Sequence, residues 1–332
     1  VRLLAAHPRA RIVTATSESF AGRRLGDLYP GLGPAGDIVL AARQEMVWDA
    51  RHLDAVFLAV PHGESHALVP GLVEAGLKVI DLSGDFRFPD PKVYETWYHR
   101  PHGAPAWADR AVYGLPELFR DDIRNAVLVA NPGCYVTAAV LALYPFLRRG
   151  WIEPSGMVVD AKSGLTGAGR TPKPDTMFNR ITENVVPYKA GGRHQHTPEI
   201  ERALGRAAGR EVTVTFTPHL IPARRGILST VYGRLTRELS AAEAIAACRE
   251  TYADEPFVDV RGEDAPWPDL RSAAGTNTCI LAATVDPRTQ TLVAAGSLDN
   301  LIKGASGQAI QNFNLLYGWD ETLGLPRTGL EP

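Results

Sequence analysis

Asn131-Pro132-Gly133-Cys134-Tyr135-Val136-Thr137 joins a short apolar run, residues 126–130, to a helical pattern over 137–147. A short apolar run delivered through a Pro-Gly turn into a helix is the signature of a buried parallel strand feeding a helix in an α/β sheet. One of the three cysteines therefore falls on a strand-to-helix turn, at the helix N-terminus. Unpaired backbone N–H groups and the positive end of the helix dipole favour thiolate there. A buried structural cysteine is the plainer reading of an isolated Cys. The cap position together with the turn favours a nucleophile instead.

Outward from this turn, the same alternation continues. Residues 54–60 form an apolar run ending at Pro61-His62-Gly63, a helix is expected over 65–75, and 78–82 is the next strand, delivering Ser83-Gly84-Asp85-Phe86-Arg87. Parallel sheets bind ligands beyond the carboxyl ends of their strands, where Pro61, His62, Arg87 and Cys134 all fall. Residues 1–8 read as the last turns of a helix stopped by Pro8, followed by strands at 11–16 and 37–42. Gly31-Leu32-Gly33-Pro34-Ala35-Gly36 matches G-x-G-x-x-G literally. It follows Leu28-Tyr29-Pro30 rather than a strand, so it reads as a surface loop and not as a dinucleotide fingerprint.

Beyond residue 150 the pattern changes to alternating β segments at 157–162, 211–218, 226–235, 276–285 and 291–297, with helices at 197–208 and 241–252. This predicts an α+β domain with a mixed or antiparallel sheet, closed by a last helix over 304–317. The chain has 332 residues, 45% hydrophobic and 22% charged, with a net charge of -2, which fits two globular domains. No charge block points to nucleic acid and no apolar run is long enough to span a membrane. Cys248 and Cys279 sit in core-like patterns, so a disulfide framework is not expected and a reducing, cytoplasmic setting fits.

The second chemical cluster is Gly191-Gly192-Arg193-His194-Gln195-His196-Thr197-Pro198-Glu199-Ile200. Thr197 can cap a helix with Pro198 at its first position, placing both histidines on the entry loop. A thiol enzyme needs an acid/base titrating near neutrality, and a carboxylate such as Glu199 can orient the imidazole. H-x-H also suits a metal, but no further Cys or His lies near, so no metal is expected. The glycine-rich loop Ser163-Gly164-Leu165-Thr166-Gly167-Ala168-Gly169-Arg170, continuing through Thr171-Pro172, can cradle an anion or be a plain turn. Arg224-Arg225 in the loop after Pro222 suits phosphate or carboxylate, or simply solvent.

Taken in order, these segments resemble the N-acetyl-γ-glutamyl-phosphate reductases, a family related to aspartate-semialdehyde dehydrogenase. The resemblance rests on 56–63, Asp81 to Arg87, Tyr113-Gly114-Leu115-Pro116-Glu117, the Cys134 turn, the Ser163 loop and the H-x-H-T-P-E-I motif. Residues 216–228 and Asp299-Asn300-Leu301-Ile302-Lys303-Gly304 complete it, so it spans nearly the whole chain.

The resemblance implies an α/β plus α+β fold. A Rossmann-type NADP-binding domain over 1–133, completed by 304–332, would precede a catalytic and oligomerisation domain over 134–303. It further implies a homo-oligomer, dimer or tetramer, acting on a small acyl-phosphate. Cys134 would be the nucleophile, with His194 favoured as acid/base over His196, and Glu199 in support. Ser17, Arg23, Pro61, His62, Ser163, Gly164 and Asn312 would meet the cofactor; Ser17, Arg23 and Arg24 suit a 2′-phosphate, whereas Glu18 beside them opposes one. Arg87, Ser163 and Arg225 would meet the substrate. The implied reaction is NADPH-dependent reduction of N-acetyl-L-glutamyl 5-phosphate to its 5-semialdehyde, in arginine biosynthesis. A carrier-bound aminoadipyl phosphate in lysine biosynthesis is the alternative substrate. The family pattern opens with a strand and a G-x-x-G-x-x-G-type loop not found in this sequence, so roughly 20 residues are expected to precede Val1. A chain that truly began at Val1 would lack the helix-terminus pyrophosphate site, and a cofactor-free binding protein would then be the alternative.

Overall fold

The computed structural model describes residues 1–330 except Arg170 and Pro172 of the glycine-rich loop. Two sheets organise the described chain. The first is parallel, in the order β1-β2-β4-β3, from β1 (Ala55–Leu58), β2 (Lys78–Asp81), β3 (Val112–Tyr113) and β4 (Leu128–Ala130). The second has seven strands in the order β6-β7-β5-β8-β11-β10-β9. These are β5 (Met157–Ser163), β6 (Val186–Pro187), β7 (Val214–Leu220), β8 (Ile227–Arg234), β9 (Val258–Val260), β10 (Cys279–Asp286) and β11 (Thr291–Leu298). Its ladder is mixed: β5 pairs β7 in parallel and β8 antiparallel.

Between the sheets runs the helix Cys134–Arg148, buried at every position from Tyr135 to Leu147. A helix apolar all round belongs in a core. It lies on β8, β10 and β11, flanked by the helices His196–Ala208 and Ala241–Thr251. Contact is close because β11 carries Gly296, where a Cβ would stand 2.5 Å from the Ala138 carbonyl. The opposite face of the seven-stranded sheet alternates toward solvent, with Asp160 and Lys162 on β5, Thr217 and His219 on β7, and Thr230 and Tyr232 on β8 half-open. The helix Gly307–Leu316, buried throughout, returns to the parallel sheet, where Lys78 donates to the Leu316 carbonyl and Phe313 packs on Phe57.

Two expected strands are reduced to single bridges. Residues 11–16 pair only at Thr16 with Ala41, and 37–42 adds only Val39 with Arg24. Alternating side chains make a segment extended, but a ladder also needs a neighbour along its length. Beside 10–16 stands instead a groove of about 610 Å³ that reaches across to β1. Pro30–Asp37, the literal glycine pattern, forms 3-10 turns with no strand before it.

Leu143 is fully buried in the Cys134 helix. Leu143→Ala should cost about 2–5 kcal/mol of stability through lost transfer energy and the cavity left behind. Urea unfolding with an unchanged slope is the expected result.

Candidate active site

The parallel sheet delivers β4 into Asn131-Pro132-Gly133, and Cys134 is the first residue of the following helix. Its thiol lies at the point where the two sheets meet. The helix His196–Ala208 packs alongside and presents its own first turn to the same place. That helix starts at His196 with Gln195 as its cap, two residues earlier than the Thr197 cap reading, and the His196 N–H is received by His194 Nδ1 at 3.0 Å. The Nδ1 of His194 is thereby committed to helix capping. His196 differs: its Nδ1 is buried without a partner, and its Nε2 would lie 2.4 Å from a Cβ placed on Gly133. Glycine at 133 is what allows the imidazole to lie against the turn that carries the cysteine. The two imidazole rings are 4.7 Å apart, and both pack edge-on against Tyr135.

Glu199 does not orient the histidines as expected. Fully buried, its Oε1 receives the Gly133 N–H and the Tyr113 hydroxyl, both at 2.8 Å, and its Oε2 pairs with Arg87 at 3.0 Å. One turn into the helix from His196, the carboxylate projects toward β4 rather than back to the imidazoles. Arg87, expected at the substrate, is likewise buried. Its other nitrogens donate to the Asn131 and Leu82 carbonyls, so the guanidinium holds the cysteine turn from inside. Asn312, expected at the cofactor, donates to the Gly114 carbonyl and to Asn131 Oδ1.

Electrostatics correct a second expectation. Burial pushes the Cys134 thiol up to about 11, outweighing the N–H groups of Tyr135 and of Cys134 itself and the Arg87 charge, all of which pull down. Desolvation thus opposes the thiolate that the helix start by itself would favour. Burial also brings His194 down to about 2, and burial first, then Arg87, drives His196 well below its ordinary value. Burial disfavours charge on the thiol and on both imidazoles alike.

Around this centre stand residues that carried no strong sequence signal. Tyr135 and Tyr188 share a hydroxyl–hydroxyl contact at 3.0 Å. Tyr135 stood inside the cysteine motif without a role, and Tyr188 lies in a loop with no pattern to find. Ser163 is buried at the end of β5, near the Tyr135 hydroxyl. Gly164 sits against the Arg224–Arg225 backbone, at 2.7 Å from a would-be Cβ. Arg225 pairs with Asp299 at 3.6 Å and lines a cavity of about 300 Å³ with Phe57, Ala59, Leu82 and Ile302. His62, at the end of β1, accepts the Gly84 N–H and packs on Tyr98, while Pro61 is exposed. Ser17 and Arg23 are not drawn into the cysteine cluster. Ser17 donates its N–H to Ala41, and Arg23 is exposed over the Phe20 ring.

The family models for the semialdehyde dehydrogenase NAD binding domain and the semialdehyde dehydrogenase dimerisation domain match residues 1–126 and 134–300. The N-acetyl-gamma-glutamyl-phosphate reductase of Symbiobacterium thermophilum is 47% identical over 99% of this chain and 94% of its own length. The Pseudomonas aeruginosa protein of the same name is 46% identical over 100% of this chain and 95% of its own. This chain belongs to the N-acetyl-gamma-glutamyl-phosphate reductase family. Its fold is shared with an aspartate semialdehyde dehydrogenase II of Vibrio cholerae, at TM-score 0.73 and 17% identity over 95% of this chain and 94% of that one. A Candida albicans aspartate semialdehyde dehydrogenase solved with NADP covers 95% and 93% at TM-score 0.67 and 17% identity. The reductase family is NADP-dependent, and the described residues fit such a group. Pro61 and His62 follow β1 at its carboxyl end, and Asn312 Oδ1 is a buried acceptor without a partner.

Two outcomes follow from this geometry. Glu199→Ala leaves the buried Arg87 charge uncompensated and should cost about 3–5 kcal/mol in urea unfolding. For His194, the folded value lies below the unfolded 6.5. The unfolded chain then binds the extra proton, so its contribution is complete above pH 6.5 and is lost as pH falls toward the folded value of about 2. His194→Gln should flatten the acid limb of stability against pH by up to about 1.4 kcal/mol per pH unit, read by denaturant titration across that range.

Proposed function

We propose that this protein reduces N-acetyl-L-glutamyl 5-phosphate to N-acetyl-L-glutamate 5-semialdehyde, with NADPH as reductant and Cys134 as nucleophile. The carrying observation is Cys134 at the first position of a buried helix, with His196 Nε2 against the preceding Gly133. The relatives' shared name supports this substrate over a carrier-bound aminoadipyl phosphate, and the family match supports an enzyme over a binding protein.

In the reaction, the Cys134 sulfur attacks the acyl carbon. The thiol proton passes through His196 to the departing phosphate as the carbon–oxygen bond breaks, leaving a thioester. Backbone N–H groups at the start of the helix face the developing oxyanion, where preorganised donors give most of their benefit. Bound NADPH supplies the hydride that takes the thioester to the aldehyde level. Cys134 then leaves as thiolate and is reprotonated from solvent through His196. Assigning the proton to His196 rather than to His194 rests on the position of His196 Nε2 against Gly133, next to the cysteine.

Pro61, His62, Ser163 and Gly164 serve the cofactor side of this reading, and Asn312 Oδ1 offers an acceptor to a carboxamide. Ser17 and Arg23 would lie toward the cofactor's adenosine end. Arg225 and Ser163 serve the substrate phosphate. The division into a cofactor domain, 1–133 with 304–332, and a catalytic domain, 134–303, follows the packing of the Gly307–Leu316 helix on the parallel sheet. A homo-oligomer formed through the open face of the seven-stranded sheet accords with the dimerisation-domain description of the matching family model. Among the described residues no helix is long and apolar enough to cross a membrane, and three unpaired cysteines accord with a reducing cytoplasm.

Phosphate-dependent NADP reduction by N-acetylglutamate semialdehyde is the direct assay. Cys134→Ser should lose at least about 10³-fold in kcat while still binding NADPH. His196→Asn should lose about 10²-fold or more and His194→Asn markedly less. Activity with aspartate semialdehyde in place of the acetylated substrate, or a fully active Cys134→Ser, would overturn the assignment. Light scattering should report a dimer or a higher even oligomer.

A further inference from the structure

Outside the reacting cluster lies a buried ion pair that the mechanism above does not use. The side chains of Lys303 and Glu117 are both completely buried, and Lys303 Nζ donates to Glu117 Oε1 and, at 2.8 Å, to Gln311 Oε1. Gln311 in turn donates to Glu321, which with Glu255 holds Arg120. Phe257 closes the other side of the ammonium group at 5.7 Å. Two desolvated charges at this depth contribute little net stability over an apolar pair, so stability alone is a weak account of them.

Their position is informative. Lys303 sits in a π-helical turn, Ile302–Ser306, a local widening of the helix that recurs at functional sites. The next residue, Gly304, has no side chain, and a Cβ there would stand 2.7 Å from the Cys134 Cβ. Ala305, one further, offers its carbonyl to Asn131 Nδ2 in the turn before the cysteine. Glu117 stands just beyond Tyr113 and Gly114, which the Glu199 carboxylate and the Gly307–Leu316 helix already fasten to the same turn. The ion pair thus pins the π turn from behind, while its front touches the nucleophile.

We propose that Lys303 and Glu117 are positioning residues that set the orientation of Cys134 by holding the Ile302–Ser306 turn against it. They touch no substrate and act through the Gly304 backbone. The inference rests on the reading of Cys134 as nucleophile, and its test separates the two.

The double variant Lys303→Met with Glu117→Leu replaces the pair by apolar groups and leaves no buried charge behind. Single variants Lys303→Met and Gly304→Ala accompany it. The assay follows kcat, both KM values, urea unfolding, and the rate of Cys134 alkylation by iodoacetamide. Expected for the folded double variant is a kcat at least tenfold lower, KM values within twofold of wild type, and an alkylation rate changed at least threefold. Gly304→Ala should reproduce the kcat loss with the pair intact. A folded double variant with wild-type kcat and alkylation rate would overturn the proposal. So would variants of which none folds, since the pair would then be structural. Absence of activity in the wild type, with Cys134 alkylation still altered by the double variant, would instead sink the functional assignment and keep the positioning role.

Discussion

One buried carboxylate ties the structure together. Glu199 belongs to a helix of the second sheet's layer, yet its oxygens are taken up by groups from the first: the Gly133 N–H, the Tyr113 hydroxyl and the Arg87 guanidinium. A buried charge must be paired and fully hydrogen-bonded to be tolerated. Three donors from three separate segments meet that demand only when β3, β4 and the loop after β2 are in register with the His196 helix. The catalytic turn is therefore formed by docking of the two sheets, not by the local sequence that carries the cysteine.

The same docking sets the reactivity of the site. Burial disfavours charge on both the thiol and the imidazoles, for the thiol against the intrinsic pull of the helix N-terminus. Local dipole effects fall off within one turn and are modest, whereas removing a thiolate from water is expensive. Arg87 holds the turn from inside through Asn131, Leu82 and Glu199.

Much of the fold was legible in the sequence, because strand and helix periods are local properties. Strands β1, β2 and β4, the helices after Cys134 and His196, and the alternating strands of the second sheet appear within a few residues of where their patterns place them. The segments at 11–16 and 37–42 do not, since the same alternation is present but a ladder depends on a partner strand. The interior hydrogen bonds of Arg87 and Asn312 were not legible for a related reason. An arginine and an asparagine in such segments are compatible with ligand contact, and only the packed interior reveals that their donors go to backbone carbonyls, to Glu199 and to the Asn131 side chain.

By itself the sequence determined the parts: a cysteine on a strand-to-helix turn, an H-x-H-T-P-E-I motif opening a helix, and segments in an order that fits one reductase family. Those are fixed by chain connectivity and short-range pattern. The tertiary structure decided their division of labour. It turned Glu199 away from the histidines, committed His194 to a helix cap, left His196 beside the cysteine turn, and set a lysine–glutamate pair behind the π turn at Cys134. Each of these depends on which groups from distant segments share a dry interior, and solvent exclusion of that kind is a property of the packed molecule.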